Sequence, residues 1–120
     1  MIFRALFAAL AGVALAGCAT DPAPIEQMRL TQQALEQATA VGANTDESPE
    51  LKLAEEKFAR AKGNMADQSY KRARMRAEQA ELDARLAEAK VLTGKSQEQL
   101  NVLNTRITRL RKQLQLGDAQ

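Results

Sequence analysis

The chain has 120 residues, 45% hydrophobic, 27% charged and only 3% aromatic, with a formal net charge of +2. That leaves room for one small domain with a thin aliphatic core, and a charge this close to neutral gives no reason for nucleic-acid binding, despite a pI near 8.9. The absence of His and Trp and the single Cys exclude most zinc sites, histidine-based triads and any internal disulfide.

Ala, Leu, Gln, Glu, Lys and Arg dominate, all good helix formers, so the expected class is all-α. Residues 1–17 form a leader. Arg4 supplies a short positive region, and Ala5 to Leu15 is an apolar run of about eleven residues, well short of the twenty or so a membrane span needs. It closes on Leu15-Ala16-Gly17-Cys18, which resembles a bacterial lipobox. That resemblance implies recognition of Leu15, Ala16 and Gly17 by the signal peptidase and cleavage before Cys18. It further implies a diacylglyceryl thioether on the Cys18 sulfur and an acyl chain on its amine. Two or more chains hold a protein stably at a bilayer where one is marginal. Ala19 follows where enterobacteria-like sorting reads Asp as a retention signal. The implied address is the outer membrane, with the body on the periplasmic face.

Residues 18–24 are the cysteine that the resemblance implies is lipidated and a short tether, kept extended by Pro22 and Pro24. Residues 25–93 are expected to form a three-helix, alanine-rich body. The first helix runs from about Ile25 to Val41, its stripe of Ile25, Met28, Leu35 and Ala38 diluted by Thr31 and Gln32, with Gly42 as C-cap. The second opens with Ser48 as cap, Pro49 at the first helical position and Glu50 at the positive dipole end. Leu51, Ala54, Phe58, Ala61 and Met65 repeat along it at steps of three and four. Gly63-Asn64 weakens its last turn.

After a turn at Asp67-Gln68-Ser69, the stretch from Ser69 to Leu116 reads as one helix of close to fifty residues, roughly 70 Å long. Ala73, Ala77, Ala80, Ala84 and Ala87 form a small-residue seam that meets Met65, Ala61, Phe58, Ala54 and Leu51 in an antiparallel hairpin. A second stripe, Met75, Leu82, Leu86 and Ala89, would be wet in a bare hairpin, so the first helix is expected to cover it. Residues 94–116 project beyond the body and carry Leu100, Leu103, Ile107, Leu110 and Leu114 at coiled-coil spacing. This seam is expected to pair with a protein partner or a second copy. In the other topology, the first helix runs on in line with the second and covers that seam internally.

Other features carry less. Thr93-Gly94-Lys95-Ser96 looks like the end of a phosphate-binding loop, but Ala89 stands where the first glycine belongs. Glu56–Arg60, Arg74–Glu78 and Glu81–Arg85 have the spacing of i,i+4 ion pairs. Arg106, Arg109, Arg111 and Lys112 complement the helix C-terminal dipole, or meet an anionic surface. No carboxylate pair sits among pocket-forming elements, so no catalytic residue, metal, small-molecule substrate or cofactor is expected beyond the lipid on Cys18.

With Ala38, Gly42-Ala43, Pro49-Glu50-Leu51, Lys57-Phe58, Tyr70, Ala77-Glu78-Gln79-Ala80 and Asp83-Ala84 in place, the body from about Met28 to Val91 resembles the bacterial envelope family called domain of unknown function 4398. The resemblance implies a tetratricopeptide-like helix pair and transfers no catalytic residue. Asp67-Gln68-Ser69 departs from the family's usual Gly-Asp turn. No peptidoglycan-binding domain of the outer-membrane-protein-A type follows, which argues against non-covalent wall binding. Covalent attachment to peptidoglycan is not expected either, since Braun-type attachment uses a C-terminal lysine and Gln120 stands here. The sequence thus reads as a non-enzymatic, lipid-anchored periplasmic scaffold or adaptor. The alternatives are a peptide-binding module and an accessory activator of an envelope enzyme.

Overall fold

No proline follows Pro49, and from there the chain is helix almost throughout. The computed structural model describes residues 21–117 and contains three helices: α1 (Ile25–Ala40), α2 (Pro49–Ala66) and α3 (Tyr70–Gly117), of 16, 18 and 48 residues. No strand occurs among the described residues. The fold is all-α, a small bundle with one very long C-terminal helix.

Local chemistry fixes each boundary. Gly42, at φ +101°, ends α1: its N–H donates to the Thr39 carbonyl (2.9 Å), and the Ala43 N–H donates to the Ala38 carbonyl (3.0 Å). The α1–α2 loop is tied by Asn44, whose side-chain oxygen accepts from the Asp46 and Glu47 N–H groups. Ser48 then caps α2, its hydroxyl oxygen accepting from the Leu51 N–H at 3.2 Å with Pro49 behind it. Gly63 does not fray this helix, which continues to Ala66. The turn into α3 repeats the α1 ending with a different residue, because here Gln68 takes the left-handed conformation at φ 55°. The Gln68 N–H reaches the Met65 carbonyl, and the Ser69 N–H reaches that of Asn64.

The topology is up-down-up. α2 runs antiparallel to α3, as Lys57 bonded to Asp83 (2.5 Å) and Glu50 bonded to Lys90 establish. α1 runs parallel to α3, with Thr31 beside Ala77 and Val41 beside Lys95. Both short helices lean on the same stretch of α3. The core between them is Ala34, Leu35 and Ala38 from α1, Leu51, Ala54, Phe58 and Ala61 from α2, and the α3 alanines. With so many side chains only one carbon long, the axes approach closely, and complementarity rather than bulk supplies the packing.

The reason α1 returns beside α2 differs from the one the sequence suggested. It was expected to cover Met75, Leu82, Leu86 and Ala89, yet all four are exposed, Leu82 by 68%. Instead α1 sets Ala34, Ala38 and Thr31 against the alanine side of α3. Thr31 does not dilute that contact. It is fully buried, its hydroxyl 2.8 Å from the Gln27 carbonyl and 3.0 Å from that of Ala77. Short side chains permit a close approach that bulky leucines would hold apart. The in-line topology is excluded, since α1 folds back and leaves the distal seam uncovered.

Candidate interaction surface

Two faces of α3 do different things. The inner one carries Ala73, Ala77, Ala80, Ala84 and Ala87, each at most 1% exposed, with Val91 at its edge. Leu51, Ala54, Phe58 and Ala61 of α2 are buried against it, and Met65 is half-buried. Every residue from Leu92 to Gln115 is exposed. In that stretch Leu100, Leu103, Ile107, Leu110 and Leu114 keep 45–70% of their surface in solvent. Arg106, Arg109, Arg111 and Lys112 stand exposed among them.

A polar frame holds α3 in place. Gln27 donates to Glu81 at 2.7 Å, and Arg85 donates to the same carboxylate from one turn on. Chiefly through Gln27 and then Arg85, the Glu81 carboxyl is held below its ordinary pKa. Across the bundle Lys90 does the same for Glu50. Of the three anticipated i,i+4 pairs only Glu81–Arg85 closes. Glu56–Arg60 and Arg74–Glu78 form no ion pair among the described residues, because in water the few tenths of a kcal/mol at stake do not hold two long side chains still.

Lys95 has a structural task. Thr93-Gly94-Lys95-Ser96 lies in uninterrupted helix, and the Lys95 ammonium donates to the Val41 carbonyl at 2.8 Å. α1 has no basic residue in its own last turn, so α3 supplies the cation that its C-terminus favours. Periodicity and helix-face reasoning could not reveal this contact, which joins residues 54 apart. The same holds for Lys57–Asp83 and Glu50–Lys90, whose partners lie on different helices.

Between α1 and α2 runs an open groove of roughly 610 Å³. Leu35, Phe58 and Ala59 line it, with Glu36, Glu55 and Lys62 among its polar residues. The Lys62 ammonium sits 4.4 Å from the Phe58 ring centroid. Among the described residues no group of acidic, His or Cys side chains is placed to hold a metal, and no helix is long and apolar enough to cross a membrane. Leu15, Ala16, Gly17, Cys18 and Ala19 lie outside the described residues.

The domain of unknown function DUF4398 matches residues 26–103, which take in α1 from its second residue, all of α2 and about the first two-thirds of α3. The chain belongs to the DUF4398 family. It is similar to a DUF4398 family protein from Pseudomonas aeruginosa PAO1 whose crystal structure is known. The two are 63% identical, with 82% of this chain and 100% of that chain covered and a TM-score of 0.74. No curated protein matches. The family match reaches past Val91 through Leu103, so the DUF4398 unit includes the start of the projecting helix as well as the bundle.

Proposed function

We propose that this DUF4398 chain is a non-enzymatic, lipid-anchored scaffold or adaptor of the bacterial envelope, held at the periplasmic face of the outer membrane through Cys18. The observation that carries the reading is a juxtaposition. A lipobox-like Leu15-Ala16-Gly17-Cys18 precedes a rigid bundle, and that bundle holds out a helix with five large aliphatics in solvent. A soluble protein seldom leaves so long an apolar row unpartnered. Anchoring two partners on one membrane raises their effective concentration and makes a modest helical contact sufficient.

A second reading rests on the groove between α1 and α2, where the Phe58 edge and Leu35 offer an apolar floor between charged rims. It makes the body a receptor for a peptide, in the manner of tetratricopeptide-like pairs.

Palmitate labelling in cells tests the anchor, and crosslinking tests the contact. Cys18→Ser is expected to leave an unprocessed, unlabelled precursor; labelling at the parental level contradicts the lipoprotein reading. Crosslinked complexes are expected to disappear when residues 95–120 are deleted. If they survive that deletion and vanish instead in Ala59→Trp, which adds bulk at an exposed position lining the groove, the peptide-receptor reading takes its place.

A further inference from the structure

The exposed proximal stripe and the exposed distal seam are one feature. Met75, Leu82, Ala89, Ser96, Leu103 and Leu110 are spaced by seven, and so are Gln79, Leu86, Thr93, Leu100, Ile107 and Leu114, each set three or four residues from the other. Together they make a continuous 3.5-residue repeat of more than five heptads along α3. Two heptads are too few to call a coiled coil, and this length exceeds the three or four that are sufficient. The bundle does not obstruct it: the buried Ala73, Ala80 and Ala87, with Ala77 and Ala84, fall on the opposite side of the helix.

We propose that this seam is the interface with a second copy of the chain, and that the two α3 helices pair antiparallel about a two-fold axis between Gly94 and Lys95. Net charge by segment favours self-pairing in this direction, although Arg76 and Arg85 then come level with Arg111 and Arg106 of the second copy. Residues 75–88 carry four acids (Glu78, Glu81, Asp83, Glu88) against Arg76 and Arg85, whereas residues 99–117 carry Arg106, Arg109, Arg111 and Lys112 and no acid. Antiparallel pairing lays the basic segment of each copy alongside the acidic segment of the other. Parallel pairing stacks like on like, with Arg106 facing Arg111 and Glu78 facing Asp83 across the interface.

Side-chain size favours the same direction. In parallel register Ala89, Thr93 and Ser96 each meet themselves, which leaves three successive thin layers in the middle of the seam. In the antiparallel register Ala89 meets Leu100, and Leu82 and Leu86 meet Ile107 and Leu103. Thr93 and Ser96, the two small hydroxyls, meet each other at the axis, where a polar pair fixes register at modest cost. The two α1 helices then start from opposite ends of the rod, about 70 Å apart at 1.5 Å per residue. A lipid-anchored dimer of this kind lies along a membrane rather than standing up from it.

The inference names the partner of the proposed contact surface, and it rests on that part of the reading and not on the lipid. The test is disulfide trapping of the full chain in cells. Leu82→Cys combined with Ile107→Cys is expected to give a covalent dimer, and Ile107→Cys alone is expected to give at least tenfold less. Arg106→Glu with Arg111→Glu, added to the double-cysteine chain, is expected to cut the dimer at least tenfold, while melting of the body stays unchanged because these positions are exposed. A dimer from Ile107→Cys alone at the yield of the double variant overturns the antiparallel arrangement. Failure of every cysteine variant to crosslink, while deletion of residues 95–120 still removes a complex of another mass, overturns self-pairing and leaves the adaptor reading standing.

Discussion

The hydroxyl of Thr31 lies 3.0 Å from the carbonyl oxygen of Ala77, joining two helices 46 residues apart in sequence. Thr31 is fully buried, and its hydroxyl is also 2.8 Å from the carbonyl of Gln27 in its own helix. Nothing larger than Thr would let α1 sit this close to the backbone of α3. Thr31→Val keeps the shape and removes the donor, so it is expected to destabilise the protein by about 1 kcal/mol. A denaturant midpoint equal to the parent's would show that the contact fixes geometry without stabilising it.

Ala80→Leu tests the same closeness from the other side. Ala80 is fully buried and shares the core with Phe58, so three added carbons have no space to enter. The expected loss is about 3 kcal/mol, the upper end of what overpacking costs. An unchanged melting temperature would mean that the alanine face is loosely packed.

Gln68 is the place where a better residue is available. It holds φ 55° at the end of α2, in a turn closed by the Gln68 and Ser69 N–H groups. A side chain in the left-handed region costs about 1–2 kcal/mol, which glycine avoids, although glycine also loses more freedom on folding. Gln68→Gly is therefore expected to stabilise by about 0.5–1 kcal/mol and to raise the melting temperature by a few degrees. A lower melting temperature would show that the Gln68 side chain contributes more than its backbone strain removes.

Acid should weaken the bundle along a defined path. The carboxyls of Glu81 and Glu50 have folded-state pKa values below their unfolded ones, Glu81 through Gln27 and Arg85, and Glu50 through Lys90. A depressed carboxylate contributes stability that is fully present above the unfolded pKa and is lost as pH falls through the folded one. Melting temperature should hold at neutral pH and fall between about pH 5 and pH 3, with a shallower fall in Glu81→Gln. Thermal melts across that range check it, and equal slopes in parent and variant would show that Glu81 contributes nothing to the acid response.

The parts of this fold that could be read from the sequence are those set by nearest neighbours. Ser48 before Pro49, Gly42 after Ala40 and the proline-free run from Tyr70 onward each act within a few residues, and the elements begin and end where such chemistry places them. The choice of face is not local. α3 offered an alanine side and a leucine side, and periodicity marks both as apolar without saying which the body takes. α1 went to the alanines because close approach there let Thr31 reach a backbone carbonyl, a contact no hydrophobic pattern displays. Lys95 was obscured by a motif-like neighbourhood, and its partner is a carbonyl on another helix. At the candidate surface, the spacing from Leu100 to Leu114 was legible, but its continuity with Met75, Leu82 and Leu86 emerged only once those proved exposed.

That α3 turns its alanines inward and its leucines outward is the claim on which the rest depends. Thiol labelling measures it most directly. Ala84→Cys, Leu86→Cys and Ile107→Cys, each in a chain lacking Cys18, are reacted with a maleimide at a concentration low enough to keep copies apart. Leu86→Cys and Ile107→Cys are expected to label at the rate of a free thiol, and Ala84→Cys orders of magnitude more slowly. Protection of Leu86→Cys as strong as that of Ala84→Cys, persisting on dilution, would contradict it and put the leucine face inside the bundle.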